Sequence, residues 1–98
     1  MRREVVFHPA AEEDLRAAAE RYAAIRPSLG AAFVDRVEVS VRRAGQAPMT
    51  GAPMGGQLRR LFVTRFPYYV IYLNDDSRVL ILDVAHFRRR PGFWRIRV

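Results

Sequence analysis

Two groups of arginines are the residues best suited to chemistry in this chain of 98 residues. The first group comprises Arg59, Arg60 and Arg65, and the second comprises the consecutive residues Arg88, Arg89 and Arg90. A guanidinium group is a planar fork of donors that suits phosphates and carboxylates. Six such charges with few acids nearby repel one another, so their clustering does not help folding. The two groups therefore predict a surface that binds an acidic partner, with Tyr69, Phe87, Phe93 and Trp94 as stacking residues.

His86 ends the apolar segment VLILDVAH (79–86), immediately before the second arginine group. A lone histidine at the end of a strand is commonly structural. Beside several arginines, however, an imidazole can also contact a phosphate or act as a general acid–base. Both interpretations remain open at this point.

Other kinds of active site have little support in the sequence. The chain has no cysteine and two histidines, and its acids cluster in a helical first turn or a hairpin, which gives no spacing typical of metal ligands. Ser28, Ser40 and Ser77 fit a cap, a helix and a turn better than a nucleophile. We therefore expect neither a metal nor another cofactor.

The charge of the chain is strongly asymmetric. The net charge is +7, and all 17 basic residues are arginine. Residues 1–38 hold six arginines and seven acids, whereas residues 39–98 hold eleven arginines and three acids. The basic half predicts binding to nucleic acid, a ribonucleoprotein or an acidic protein. No apolar run approaches the roughly 20 residues that cross a bilayer, and acids interrupt the N-terminal segment, so we expect a cytoplasmic protein.

The elements that position these residues can be predicted from periodicity. EVVFH (4–8) is typical of a strand, and Pro9 begins a helix with an apolar stripe of Leu15, Ala18, Tyr22 and Ile25. Pro27 ends that helix, and a second is predicted from a Ser28 cap to Gly45. A loop rich in glycine and proline covers residues 45–56, and strands are predicted at 57–66, 68–73 and 78–86.

This order of elements, β-α-α-β-β-β, predicts an α+β fold in a single domain spanning residues 1–98. Two helices joined by a short connection form an antiparallel hairpin. The hairpin is expected to pack on one face of a small, mainly antiparallel sheet, leaving the other face as the place to look for function.

The segments LRRLFVTRFPYYVIY (58–72) and VLILDVAHFRRRP (79–91), in this order of elements, are similar to the RelE/ParE superfamily of bacterial type II toxin–antitoxin modules. The resemblance covers essentially the whole chain and favours the ParE (plasmid-stabilisation) branch. It implies a toxin that causes growth arrest and forms a hetero-oligomer with a cognate acidic, ParD-like antitoxin.

The two branches of this superfamily imply different targets. ParE-like members are inhibitors of DNA gyrase, and RelE-like members are ribosome-dependent mRNA endonucleases. Arg59 and Arg88 match basic positions of the nuclease branch, whereas Leu61 and Tyr69 stand where that branch has a lysine and an arginine. Trp94 stands near its tyrosine, and an indole N–H does not exchange a proton near neutral pH. Each missing electrostatic donor is worth about 10²–10³ in rate, which favours the gyrase branch.

Three functions follow in order of preference: a gyrase inhibitor that performs no chemistry, a ribosome-dependent endoribonuclease, and a non-toxic binding module of the same fold. The residues expected to bind the target are Arg59, Arg60, Arg65, His86, Arg88, Arg89, Arg90 and Trp94. If the protein is a nuclease, the expected catalytic residues are Arg59, His86, Arg88 and Arg89. Leu15, Tyr22 and Phe33 are expected to contact the antitoxin.

Overall fold

A computed structural model describes residues 3–88 as two helices packed on a five-stranded mixed sheet. The helices are α1 (Pro9–Ile25) and α2 (Pro27–Gln46). The strands are β1 (Glu4–Phe7), β2 (Ala52–Pro53), β3 (Leu58–Phe62), β4 (Tyr68–Asn74) and β5 (Arg78–His86). Their order across the sheet is β1-β5-β4-β3-β2, in which β1 and β5 are parallel and the other pairs are antiparallel. The predicted α+β fold is confirmed.

A single residue connects the two helices of the hairpin. Arg26 has extended backbone angles (φ −163°, ψ 129°) because the proline that follows it disfavours helical geometry, and it separates α1 from α2. The prediction that Ser28 caps α2 is wrong, since α2 already begins at Pro27. Gly30 allows the two helices to approach closely, because a Cβ atom at this position would lie 2.8 Å from the Cβ atom of Ala23.

The core lies between the helical hairpin and one face of the sheet. Phe33, Val37 and Ala44 of α2 are fully buried there, together with Val70 and Tyr72 of β4. The apolar stripe of α1 is shorter than its spacing predicts. Ala18 is buried and Leu15 and Tyr22 pack against the core, but Ile25 at the end of the helix is 73% exposed.

Two predicted boundaries are wrong near the arginines. Strand β3 ends at Phe62 rather than at residue 66, and residues 63–67 form the turn to β4, where Arg65 has a φ of 74°. The predicted loop 45–56 contains the last two residues of α2, a 3₁₀ turn (Pro48–Thr50) and the short strand β2, which pairs with β3. No helix within residues 3–88 has both the length and the apolar character needed to span a membrane.

Candidate target-binding surface

The neighbouring residues Arg59 and Arg60 lie on opposite faces of the sheet, because successive side chains alternate along a strand. Arg59 is paired with Tyr72, on the side of the sheet that carries the helices. Its Nη1 atom donates hydrogen bonds to the carbonyl oxygens of Met49, at 3.1 Å, and Gly51, at 2.7 Å. The Arg59 guanidinium therefore binds the chain's own backbone, which weighs against its expected role as a target-binding or catalytic residue.

Tyr72 also forms hydrogen bonds with the segment 48–51 that Arg59 contacts. Its hydroxyl donates to the carbonyl oxygen of Pro48 at 2.7 Å and accepts from the N–H of Gly51 at 3.0 Å. Burial raises the pKa of Tyr72, and the Gly51 N–H partly offsets this effect. A Cβ atom at Gly51 would lie 2.5 Å from the hydroxyl oxygen, so the close approach requires glycine. We call Arg59, Tyr72 and the backbone of residues 48–51 the loop anchor.

The opposite face of the sheet carries a cluster of aromatic rings. Ring centroids are 5.0 Å apart for Phe62 and Tyr69, 4.6 Å for Tyr69 and Phe87, and 5.7 Å for Phe62 and Phe87. Phe62 is 60% exposed and Phe87 is 46% exposed. Large apolar side chains that cluster on a surface are typical of interaction sites, whereas isolated ones are not.

Arg60 lies against this cluster. Its guanidinium carbon is 4.5 Å from the centroid of the Tyr69 ring, a cation–π contact. The Nε atom of Arg60 is buried without a hydrogen-bond partner. The charge is thus held beside the rings by packing, and Arg60 forms no salt bridge with a carboxylate among residues 3–88. We call Arg60, Phe62, Tyr69 and Phe87 the aromatic–arginine surface.

Two further arginines lie at the same end of the sheet. The N–H of Phe87 donates to the carbonyl oxygen of Pro67 at 2.9 Å, which brings the end of β5 beside the turn 63–67. Arg65 in this turn and Arg88 after β5 are both exposed. The expectation that Arg65 lies on a strand is wrong, because it lies in the turn 63–67. This turn is nevertheless at the same end of the sheet as Arg88. Arg89, Arg90, Phe93 and Trp94 lie outside the described residues.

His86 is separated from this surface because it points to the face that carries the helices. It is paired with Tyr68, and the two rings meet edge to face with their centroids 5.1 Å apart. Its Nδ1 atom accepts a hydrogen bond from the backbone N–H of Arg88 at 3.0 Å. Together with Arg21 and Asp14 of α1, it lines a pocket of about 340 Å³.

A family model independently matches most of this chain. The model of the ParE toxin of type II toxin–antitoxin system, parDE, matches residues 5–91. The chain belongs to the ParE toxin family. Toxin ParE2 of Mycobacterium tuberculosis is 35% identical over 96 residues, covering 94% of this chain and 89% of that protein, in both strain CDC 1551 / Oshkosh and strain H37Rv. The family predicted from the sequence is therefore confirmed.

A solved structure supports the ParE fold. A chain of the chromosomal ParDE TA system from P. aeruginosa superposes with a TM-score of 0.75 at 19% identity. The match covers 86% of this chain and 95% of that chain. At this level of identity the likeness concerns the fold, namely the helical hairpin on the mixed sheet.

Within this ParE fold, the residues expected to contact an antitoxin differ in accessibility. Phe33 is fully buried, with its ring centroid 5.1 Å from that of Tyr22. Burial also raises the pKa of Tyr22. These two rings belong to the core, and an exposed contact by Phe33 would require the helices to separate. Leu15 is more accessible, since it lines a groove of about 650 Å³ together with Phe7 and Val41.

The structure also locates Leu61 and Tyr69, the two positions where the resemblance to the nuclease branch would place a lysine and an arginine. Leu61 is 7% exposed and packs in the core, and Tyr69 lies within the aromatic cluster. Neither side chain supplies a cation. Among residues 3–88 there is also no group of three or more histidine, aspartate or glutamate side chains that could hold a metal ion.

The sequence-based prediction missed Phe62. The sequence could have indicated it. If Leu61 of β3 faces the core, strand alternation places Phe62 on the opposite face of the sheet, together with Arg60. The prediction had named Tyr69 and Phe87 as stacking residues, and the structure brings these two rings together with Phe62.

Proposed function

We propose that this ParE-family chain is a toxin that inhibits DNA gyrase, and that the aromatic–arginine surface contacts the enzyme. The observation that carries the proposal is the exposed ring cluster with Arg60 packed against Tyr69. Exposed aromatic and arginine side chains are the types that dominate binding energy at protein interfaces. Arg65 and Arg88 extend the positive charge beyond the rings, which favours an acidic protein surface or the DNA that the enzyme holds.

Inhibition by binding agrees better with the described residues than RNA cleavage does. The Arg59 guanidinium is occupied by two backbone carbonyls, and Leu61 and Tyr69 provide no charge. A nuclease would need several cations around a scissile phosphate to stabilise the transition state. The aromatic–arginine surface offers one cation beside three rings, an arrangement that suits contact more than bond cleavage.

A cognate antitoxin is the second partner that we propose, and apolar contacts rather than charge support its place on the helices. The groove along α1 and α2 has an apolar floor that includes Phe7, Leu15 and Val41, as an amphipathic segment requires. Apolar anchoring predicts that the complex survives high salt, because salt screens charge pairs and leaves apolar contacts intact. A complex that dissociates in moderate salt would contradict this mode of binding.

The target is tested by two assays on the same preparation of antitoxin-free protein. We expect micromolar protein to block supercoiling of relaxed plasmid by gyrase and to leave the message intact on translating ribosomes. If gyrase still supercoils the plasmid in the presence of the protein and the message is cleaved, the proposal is overturned in favour of an endoribonuclease. Normal growth after induction without an antitoxin would instead favour a non-toxic binding module.

Matched variants test the contact surface. Phe62→Ala and Arg60→Gln should each weaken inhibition by about tenfold or more, as expected for residues at the centre of an interface. Ile25→Ala removes another large, mostly exposed apolar side chain at the tip of the helical hairpin, and Arg16→Gln removes a charge from the outer face of α1. These two controls should inhibit like the unaltered protein. Equal effects of all four substitutions would show that the surface is not specific.

A further inference from the structure

A polar pocket lies between α1, the start of β4 and the end of β5, on the opposite side of the sheet from the aromatic–arginine surface. Its volume is about 340 Å³. Asp14, Ala17 and Arg21 are spaced three and four residues apart, so they share one face of α1. Tyr68, Val84 and His86 line the strand side, with Tyr68 and His86 directly paired. We call this the polar pocket.

Three hydrogen-bond donors of different kinds line the polar pocket. The Nη2 atom of Arg21 donates to the Tyr68 hydroxyl oxygen at 3.1 Å, so the hydroxyl hydrogen must be directed to another acceptor. The Nδ1 atom of His86 accepts from the Arg88 N–H, so the neutral ring carries its hydrogen on Nε2. The remaining guanidinium donors of Arg21 complete the set.

The pocket suits an oxyanion with a small organic group attached. A guanidinium group together with hydroxyl and imidazole donors matches the several acceptor oxygens of a phosphate. The volume exceeds that of a phosphate alone, and Ala17 and Val84 provide an apolar wall. Asp14 is the one carboxylate among the described residues of the lining, and it is already engaged in an interaction.

The other cavities are less suited to an anion. The larger groove along the helices has three glutamates on its rim, Glu12, Glu13 and Glu38. A smaller cavity beside the loop anchor is lined by both Asp75 and Asp76. Both of these cavities also contain arginines, but the polar pocket has the fewest carboxylates among the described lining residues, one against three and two.

We propose that the polar pocket binds the phosphate group of a small molecule, with inorganic phosphate and a nucleoside monophosphate as the two forms to be distinguished. The site lies on the helix-facing side of the sheet, so it is separate from the surface proposed to contact gyrase. Binding requires no bond to be made or broken.

The experiment is an NMR titration of the antitoxin-free protein, following the imidazole hydrogens of His86 with those of His8 as an internal reference. His8 caps α1 through its Nδ1 atom and does not line the pocket. We expect inorganic phosphate and AMP to shift the His86 signals saturably, and adenosine to leave them unchanged. Tighter binding of AMP than of phosphate would identify the nucleoside monophosphate as the preferred form, and equal affinities would identify the phosphate alone.

Variants of equal charge separate the pocket from general attraction to a basic protein. Arg21→Gln should weaken phosphate binding by about tenfold or more, since a hydrogen bond to a charged group contributes about 1.5–3 kcal/mol. Arg16→Gln lies on the outer face of the same helix, where Arg16 pairs with Glu13 and Glu20, and should leave binding unchanged. Equal losses in both variants would overturn the proposal.

Two further substitutions have opposite expected signs. Tyr68→Phe removes one donor and should weaken binding by about threefold to tenfold. Asp14→Asn removes the carboxylate and should strengthen it. Linear, unsaturated shifts in the unaltered protein, or shifts of His8 equal to those of His86, would also overturn the proposal. The readout is binding alone, so the result does not depend on whether the protein inhibits gyrase.

Discussion

The loop anchor and the aromatic–arginine surface both contain an arginine and a tyrosine, but the two regions differ in how these side chains are hydrogen-bonded and exposed. In the loop anchor, Arg59 and Tyr72 are each hydrogen-bonded to two backbone groups. In the aromatic–arginine surface, Arg60 contacts a tyrosine ring, and Phe62 remains largely exposed. Residue type therefore does not distinguish a structural arginine from one available for binding. What distinguishes them is whether the chain itself supplies the hydrogen-bond acceptors.

This difference has a direct energetic consequence. A polar group that is satisfied internally contributes to stability, and its removal leaves buried partners unpaired. An exposed side chain that is available to a binding partner contributes little to the free energy of folding, and its removal should affect binding instead. Substitutions in the two regions should therefore separate stability from activity.

The largest expected effect is that of Tyr72→Ala, which removes a fully buried ring and both of its hydrogen bonds. We expect the free energy of unfolding to fall by about 3–5 kcal/mol, as is usual for the loss of a large aromatic side chain from a core. Phe62→Ala is the matched control, and it should change stability by roughly 0.5 kcal/mol or less. Denaturant unfolding of the antitoxin-free protein measures both values, and similar losses would contradict the distinction between the regions.

A smaller effect is expected for Tyr72→Phe, which keeps the ring and removes only the hydroxyl. The Gly51 N–H and the Pro48 carbonyl lose their partner, at a cost of about 1–3 kcal/mol. Tyr69→Phe, in the other region, should be close to neutral. If the two changes cost the same, the hydroxyl of Tyr72 does not hold the loop.

The pH dependence of Tyr72 sharpens this test. Burial raises the pKa of Tyr72 in the folded protein above the ordinary value near 10. The stabilisation is thus fully present below about pH 10 and is lost as the pH rises through the higher folded pKa. Unaltered protein should lose stability at alkaline pH more steeply than Tyr72→Phe. Unfolding midpoints at pH 8 and pH 11 give the comparison, and parallel losses would assign the alkaline dependence to other groups.

Much of the fold could be predicted from local patterns, whereas the loop anchor could not. Proline positions and helical periodicity located the hairpin, and turn residues located β4 and β5. The bonds of Tyr72 connect residues 21 and 24 positions apart, and such contacts leave no periodic signal. The turn at Arg65 was also missed, because a non-glycine residue with positive φ gives no warning in the sequence.

The candidate surface was predicted in part. Arginine clustering indicated a basic surface but did not assign sides of the sheet, so Arg59, Arg60 and His86 were grouped together. Strand alternation separates Arg59 from Arg60 once Leu61 is known to face the core. His86 belongs with Tyr68 on the helix side, which depends on the strand register and on where β5 ends.

The fourth prediction compares the neighbouring arginines directly. Arg59→Gln should lower the free energy of unfolding by about 1–2 kcal/mol, because two backbone carbonyls lose a charged donor. Arg60→Gln removes one cation–π contact and should cost about 0.5–1 kcal/mol. In gyrase inhibition the order should reverse, with the Arg60 variant weaker than the Arg59 variant at temperatures where both are folded. The same order in both assays would contradict the division between structural and binding arginines.

The smallest expected effect concerns the turn between the antiparallel strands β4 and β5. The turn between β4 and β5 is held by Asp75, whose Oδ1 atom accepts from the N–H groups of Ser77 and Arg78, each at 2.9 Å. These hydrogen bonds lower the pKa of Asp75, so its contribution to stability is present above the ordinary value near 3.9 and is lost as the pH falls through the lowered pKa.

Asp75→Asn keeps an acceptor oxygen and should change little at pH 7, but it should flatten the loss of stability below pH 4. Asp76→Asn, one residue along the same turn, is the matched control and should retain the acid dependence of the unaltered protein. Thermal unfolding from pH 7 to pH 2.5 measures both variants, and an unchanged acid profile in Asp75→Asn would show that the carboxylate charge does not hold this turn.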